Sequence, residues 1–396
     1  MAQANILTLD PPEHGGVPAL ARTMYGLLTG AGHAPELVYR AAEEVPVTSR
    51  MAALKYFLTT PPVRRMVKND MRAVAVADYP VPVRYQYHLL RLARSSLAAP
   101  IASVVSGSSH VGLPLAIARR PYVLWGATLY EDELRGRATA GDAWAEKFLR
   151  HRDWKILEAQ EQIVYERASV ILGLSPHTSG RIAGRWPTLA HKLRTVVYPA
   201  DTDRFQPGAG PARPPYLLFT ARIRDPRKNV NLLLRAFARV RAEFPQIRLV
   251  IAGDDPLPAT EKLAADLRLG EAITFAGRVP VSAFVELYQR AALFVFPSLQ
   301  EGLGISVLDA MACGVPVIST RCGGPEGLIE DGVTGVLAPN NDEDAMARGI
   351  ADLLRQPERM RAMGAAARER TVQQFSRPRV EAQLRSAFRE TYGELF

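Results

Sequence analysis

The residues best suited to chemistry fall in positions 296–335, FPSLQEGLGISVLDAMACGVPVISTRCGGPEGLIEDGVTG. An apolar strand ends at Pro297, and the loop 298–304 carries Gly302 and Gly304 around Leu303. Residues 305–313 have helical spacing, closed by Gly314 at the C-terminal cap. Glycines let a backbone approach a ligand closely, and the first amides of a helix favour an anion. Glu301 precedes that turn, and Asp309 lies about a turn and a half inside the helix, so both carboxylates can face one cleft. Carboxylates there would repel phosphate but would hydrogen-bond sugar hydroxyls. Amides for an anion beside carboxylates for hydroxyls suit a nucleotide-sugar. The same string also describes an ordinary strand–turn–helix with a surface glutamate.

A second stretch, TARIRDPRKNVNLLLRAF, points the same way. Its strand ends at Arg222 and its helix begins near Asn229, which puts Arg222 and Lys228 at the carboxyl end of a strand, where α/β sheets bind ligands. Two cations there would neutralise a diphosphate, Arg222 as a planar fork and Lys228 as a point charge. Only seven of the 49 basic residues are lysines, so lysine is not this chain's default cation. A solvated basic loop is the alternative. Asp201 and Asp203 form a DxD string that could hold a metal, but they sit in a Pro-rich stretch and read as a turn. HExxH, CxxC, G-x-S-x-G and Walker spacings are absent from the sequence.

These residues need a scaffold, and the pattern supplies one. Continuous apolar runs at 4–10, 35–39, 101–106, 121–126, 169–174, 195–199, 216–222, 247–252, 272–276, 293–297, 315–319 and 335–338 read as strands buried on both faces of parallel sheets. Helical spacing fills intervals such as 229–243, 259–269, 281–291, 342–355 and 357–374. This alternation predicts doubly wound α/β domains. The Pro- and Gly-rich stretch 199–215 reads as a linker. It separates an N-terminal domain, 1–198, from a C-terminal domain, 199–375, with a last helical stretch at 376–396.

The chain has 396 residues, 47% of them apolar, which excludes general disorder. Cys313 and Cys322 are the only cysteines, which excludes a disulfide framework and fits a cytoplasmic protein. No apolar run approaches the ~20 residues of a membrane span, and the N-terminus lacks the basic start of a signal peptide. The net charge is +9, and residues 50–100 hold nine basic groups and two acids, or +7 of it. That segment mixes basic and apolar residues at helix-like spacing. It predicts an acceptor side resting on an anionic membrane surface, with a solvated basic face as the other reading. It carries no nucleic-acid motif, so nucleic acid is not an expected partner.

Glu301 through Asp309, followed by AMACGVPVIST and GGPE, resembles the signature of family 4 (group 1) retaining glycosyltransferases of the GT-B fold. The resemblance covers most of the C-terminal half, including Arg222, Lys228, LVIAGD, ITFAGRV and the YPADTDRFQP linker. It extends more faintly to HGGVPALARTMYGLLTGAGH near the start. It implies two Rossmann-like doubly wound domains facing across a cleft that closes over the donor, the first (1–198) on the acceptor side, the second (199–375) binding the nucleotide-sugar, and a last helix, 376–396, crossing back to the first. It also implies retaining transfer from a UDP- or GDP-linked sugar to a glycan or lipid-linked acceptor, in cell-envelope or polysaccharide biosynthesis, with no metal or other cofactor. By position, Arg222 and Lys228 would hold the leaving diphosphate, and Glu301 the sugar hydroxyls. Gly302, Leu303 and Gly304 would lend amides, and Asp309 would bind the ribose. Gly15 and Gly16 would close over the donor, and Arg278 and Val279 would border the base. Two positions depart from the family pattern. Asp309 stands where it usually has Glu, and Gly126, Ala127 and Thr128 stand where it commonly has a histidine, for which His110 is the candidate substitute. The resemblance thus implies an enzyme on the inner face of a membrane. The missing histidine keeps a second reading open, a non-catalytic nucleotide-sugar-binding subunit of a glycan-assembly complex.

Overall fold

The computed structural model describes residues 1–8, 15–41, 63–77 and 95–396. The chain divides into two compact units, Met1–Glu131 with Phe148–Val197 and Glu381–Phe396, and Asp132–Lys147 with Tyr198–Val380. The sequence reading placed 132–147 with the first half, whereas this helical segment groups with the second unit.

In the first unit, β1 (Gln3–Thr8), β2 (Ala34–Ala41), β3 (Val63–Lys68), β4 (Met71–Ala77), β5 (Ile101–Ser106), β6 (Val123–Gly126), β7 (Val170–Gly173) and β8 (Leu193–Thr195) form one sheet. Their order is β3-β4-β2-β1-β5-β6-β7-β8, parallel throughout except for β3 against β4. Strand order reverses between β1 and β5, so this sheet's ligand crevice lies beyond their carboxyl ends. The final helix, Arg377–Tyr392, ends in Tyr392, whose hydroxyl accepts from the Ala102 amide (2.8 Å) and donates to the Ala102 carbonyl (2.7 Å) on β5.

The strands β3 and β4 correct the helix-like reading of 50–100, most of which lies outside the described residues. They form an antiparallel hairpin joined at Asn69 and Asp70, both left-handed at φ 49° and 61°. Asparagine and aspartate tolerate that conformation, and two such residues make the tight turn that matches strand twist. Arg64 and Arg65 are exposed on the edge strand, where charge discourages pairing with another sheet.

In the second unit, β9 (Tyr216–Ala221), β10 (Arg248–Gly253), β11 (Ile273–Gly277), β12 (Leu293–Phe296), β13 (Val317–Thr320) and β14 (Val336–Ala338) form an all-parallel sheet ordered β11-β10-β9-β12-β13-β14. The order reverses between β9 and β12. Leu217, Phe219, Ile251, Phe294, Phe296 and Ile318 are fully buried, which explains why these strands read as unbroken apolar runs. At the carboxyl end of β10, Gly253 has φ 143°, and a methyl there would run into the Ala221 carbonyl. Only glycine permits this approach of β10 to the end of β9.

Candidate functional site at the second switch point

The loops after β9 and β12 meet where the second sheet reverses. After Ala221 come Arg222, with 62% of its side chain exposed, and a short turn, Pro226–Lys228, whose start is capped by the Asp225 carboxylate accepting from the Arg227 amide at 3.1 Å. Asn229, at φ 49°, then opens the helix Val230–Glu243. After Phe296, the Leu299 amide donates to the Arg227 carbonyl at 2.7 Å, so the two loops share a backbone bond. The Lys228 ammonium then pairs with a Glu301 carboxylate oxygen, both side chains mostly buried.

A third loop supports the second. The Glu301 amide donates to the Cys322 carbonyl (2.8 Å), and the Gly324 amide donates to the Glu301 carbonyl (2.9 Å). A side chain at Gly324 would collide with the Leu303 backbone. Both Glu326 carboxylate oxygens accept from the Gly323 amide, at 3.1 and 2.9 Å. Gly304, at φ 91°, starts the helix Ile305–Ala312. Gly302, Leu303 and Gly304 therefore sit on a braced turn at a helix N-terminus, beside Lys228 and Glu301.

The charged groups around this turn are strongly coupled. Burial alone would raise the Asp225 carboxyl, but hydrogen bonds and charge from Arg227, with Lys228 adding, hold it down at about 2. Burial disfavours charge on Arg227, and Asp225, Glu133 and Glu301 more than offset it. Further along the sheet, Arg278 follows β11 and donates to Asp254, which follows β10, at 2.9 Å, with Val279 next to it.

Asp309 has different neighbours. The residue is half-buried, but its carboxyl lies inside, and burial pushes it up to about 8, with Asp201 raising it further and Arg204 opposing. Tyr288 and Cys313 also sense its charge. Asp201 itself belongs to a turn in which it accepts from the Arg204 amide at 3.2 Å, as the linker reading expected. Among the described residues, no three His, Cys, Asp or Glu side chains group as metal ligands.

In the first unit, Gly15, at φ 116°, and Gly16 open the helix Gly16–Gly30 after β1, and His110 follows β5. His110 does not have the setting of a catalytic base. It is buried, its Nδ1 lies 2.7 Å from the Ser108 hydroxyl, and its Nε2 lies 2.8 Å from the Leu157 carbonyl. Burial pushes the imidazole down to about 4, against the bond to Leu157. A neutral ring with both nitrogens engaged by the protein anchors the loop 106–110. The expected histidine position is also accounted for. A methyl at Gly126 would lie 2.7 Å from the Tyr165 hydroxyl, so Tyr165 occupies the space of a side chain there.

Sequence reasoning missed Arg227 and the residues clustered on it, Asp225, Gln300, Glu133 and Gly136, next to the Lys228–Glu301 pair. One signal was available: Gly136 interrupts an otherwise helical run, YEDELRGRAT, where alanine would be the default.

Residues 201–370 match the family described as glycosyl transferases group 1. The GDP-mannose-dependent alpha-(1-6)-phosphatidylinositol monomannoside mannosyltransferase of Mycolicibacterium smegmatis is 33% identical over 220 residues, which cover 51% of this chain and 57% of that protein. The sucrose-phosphate synthase from Thermosynechococcus elongatus superposes with a TM-score of 0.75 at 20% identity, covering 98% of this chain and 99% of that one. Anabaena Alr3699/HepE in complex with UDP and glucose gives 0.70 at 14% identity, covering 98% and 99%. With two doubly wound sheets and the braced loops at the second reversal, these matches show that the chain carries a glycosyl transferases group 1 domain on the GT-B fold.

Proposed function

We propose that the protein transfers a sugar, with retention of configuration and without a metal, from a nucleotide-diphospho-sugar to a glycan or lipid-linked acceptor in cell-envelope or polysaccharide biosynthesis. The observation that carries the reading is the pairing of Lys228, in the loop after β9 that also bears Arg222, with Glu301 beside the turn 302–304 after β12, at the reversal of a parallel sheet. The hard step is departure of the nucleoside diphosphate, on which charge grows as the anomeric carbon becomes oxocarbenium-like. Arg222 is the exposed fork and Lys228 the point charge for that leaving group, both standing at the carboxyl end of β9 before a donor arrives. Glu301 takes the sugar hydroxyls, and Asp309, neutral below about pH 8, can both donate to and accept from a ribose hydroxyl. Arg278 and Val279 border the base.

GDP-mannose and UDP are the donor chemistries in the names of the similar proteins, so both bases belong in the first screen. The first unit, with Gly15 and Gly16 at its own reversal, takes the acceptor side. Its basic edge hairpin, with Arg64, Arg65 and Lys68, rests on an anionic membrane surface.

The experiment is turnover of GDP-mannose and UDP-glucose, followed by release of nucleoside diphosphate, with and without EDTA. Release from one donor that survives EDTA is the expected result. Tight donor binding with no release on any acceptor would favour the non-catalytic subunit instead. The engaged ring of His110 and the filled space at Gly126 are the observations that favour that second reading.

A further inference from the structure

Arg227 is an arginine that the proposed chemistry does not use, yet it is the most heavily engaged side chain at the site. Its Nε donates to Asp225 Oδ1 at 3.1 Å and its Nη2 to Asp225 Oδ2 at 2.7 Å. Its Nη1 donates to Gln300 Oε1 at 3.1 Å, and its Nη2 lies 3.5 Å from Glu133 Oε1. Only 12% of its side chain is exposed. The guanidinium therefore joins three segments: its own loop after β9, the loop after β12 through Gln300, and the helix Tyr130–Thr139 through Glu133. Lys228 and Glu301 are the next residues along the first two segments.

The helix is seated by a second contact. Gly136 is buried, and a methyl there would lie 2.6 Å from Gln300 Cβ and 3.4 Å from Arg227 Cδ. Helix propensity favours alanine over glycine at an interior position. Glycine here is accounted for by the close approach of the helix backbone to the two loops.

We propose that Arg227 is a positioning residue that fixes Lys228 against Glu301, and that the helix bearing Glu133 and Gly136 is a third wall of the donor site. The proposal deepens the donor-site reading and rests on it for the ligand, but the positioning itself can be read without any ligand. Lysine cannot replace Arg227, because a point-like ammonium cannot serve Asp225, Gln300 and Glu133 from one rigid plane.

The test is lysine footprinting of the full chain with an amine-reactive ester, read by mass spectrometry at each lysine. Arg227→Met is expected to raise labelling of Lys228 about tenfold, since the loop carrying Glu301 loses the bond from Arg227 to Gln300. Lys262, on an exposed helix of the same unit, and Lys192, bonded to the Glu166 and Ala168 carbonyls in the first unit, should not change. Gly136→Ala keeps every charged group and is expected to raise Lys228 labelling in the same sense, which secures the test if Arg227→Met folds poorly. Unchanged Lys228 labelling in both variants overturns the proposal.

Calorimetric titration with UDP and GDP then separates the two readings. If Arg227 acts through Lys228, the double variant Arg227→Met/Lys228→Ala binds the accepted diphosphate no more weakly than Lys228→Ala. Additive losses would make Arg227 a direct ligand or a general support and overturn the positioning role. Binding of neither diphosphate by the parent chain, with the Lys228 footprint still responding, overturns the donor-site reading and the wall while leaving the positioning intact.

Discussion

Asp309 shows how far a residue's type can be read and where its setting takes over. Its spacing from Glu301 was legible, but its proton was not. Burial is the leading cause of its rise, and the linker carboxylate of Asp201 adds to it. No local pattern shows that the linker packs there. A carboxyl whose folded value of about 8 exceeds its unfolded value of 3.8 binds a proton more tightly when folded. Its stabilising contribution is complete below the unfolded value, declines as pH rises from there, and is fully lost above about 8. Asp201, Arg204, Tyr288 and Cys313 are the groups that sense or set this charge. Asp309→Asn, which mimics the neutral form, should exceed the parent's melting temperature only modestly near pH 5 and by several degrees more near pH 9. Scanning calorimetry at the two values checks this, and an equal difference at both would refute the assignment.

At the scale of elements, the parallel strands were legible because burial on both faces leaves unbroken apolar runs. The hairpin β3–β4 was not, because its basic residues imitate a helical face. The signal lay in Asn69 and Asp70, two turn-forming residues between short alternating runs. The basic edge makes a prediction about surfaces. The parent chain should sediment with anionic vesicles at low salt, and replacement of Arg64, Arg65 and Lys68 by serine should abolish this. Equal sedimentation of the two would remove the hairpin from the membrane proposal. The packing of β9 against β10 makes a second prediction. Gly253→Ala puts a methyl into the Ala221 carbonyl at a left-handed position, so it should destabilise by roughly 2 kcal/mol or more. Urea denaturation should show a lower midpoint with an unchanged slope. A midpoint within error of the parent's would show that the loop end yields freely.

For the molecule as a whole, the order of motifs along the chain carried the family and the fold. The assignment of 132–147 and the clamp around Arg227 depend on contacts that join Glu133 and Gly136 to Arg227 and Gln300 from distant parts of the chain, and no window of sequence reports that. The central claim is that the reversal point of the second sheet binds a nucleoside diphosphate through Lys228. Calorimetric titration of the full chain and of Lys228→Ala with UDP and GDP tests it most directly. One of the two should bind the parent chain, and Lys228→Ala should weaken that binding at least about tenfold. Affinity equal to the parent's in Lys228→Ala, or binding of neither diphosphate by the parent, would contradict the account.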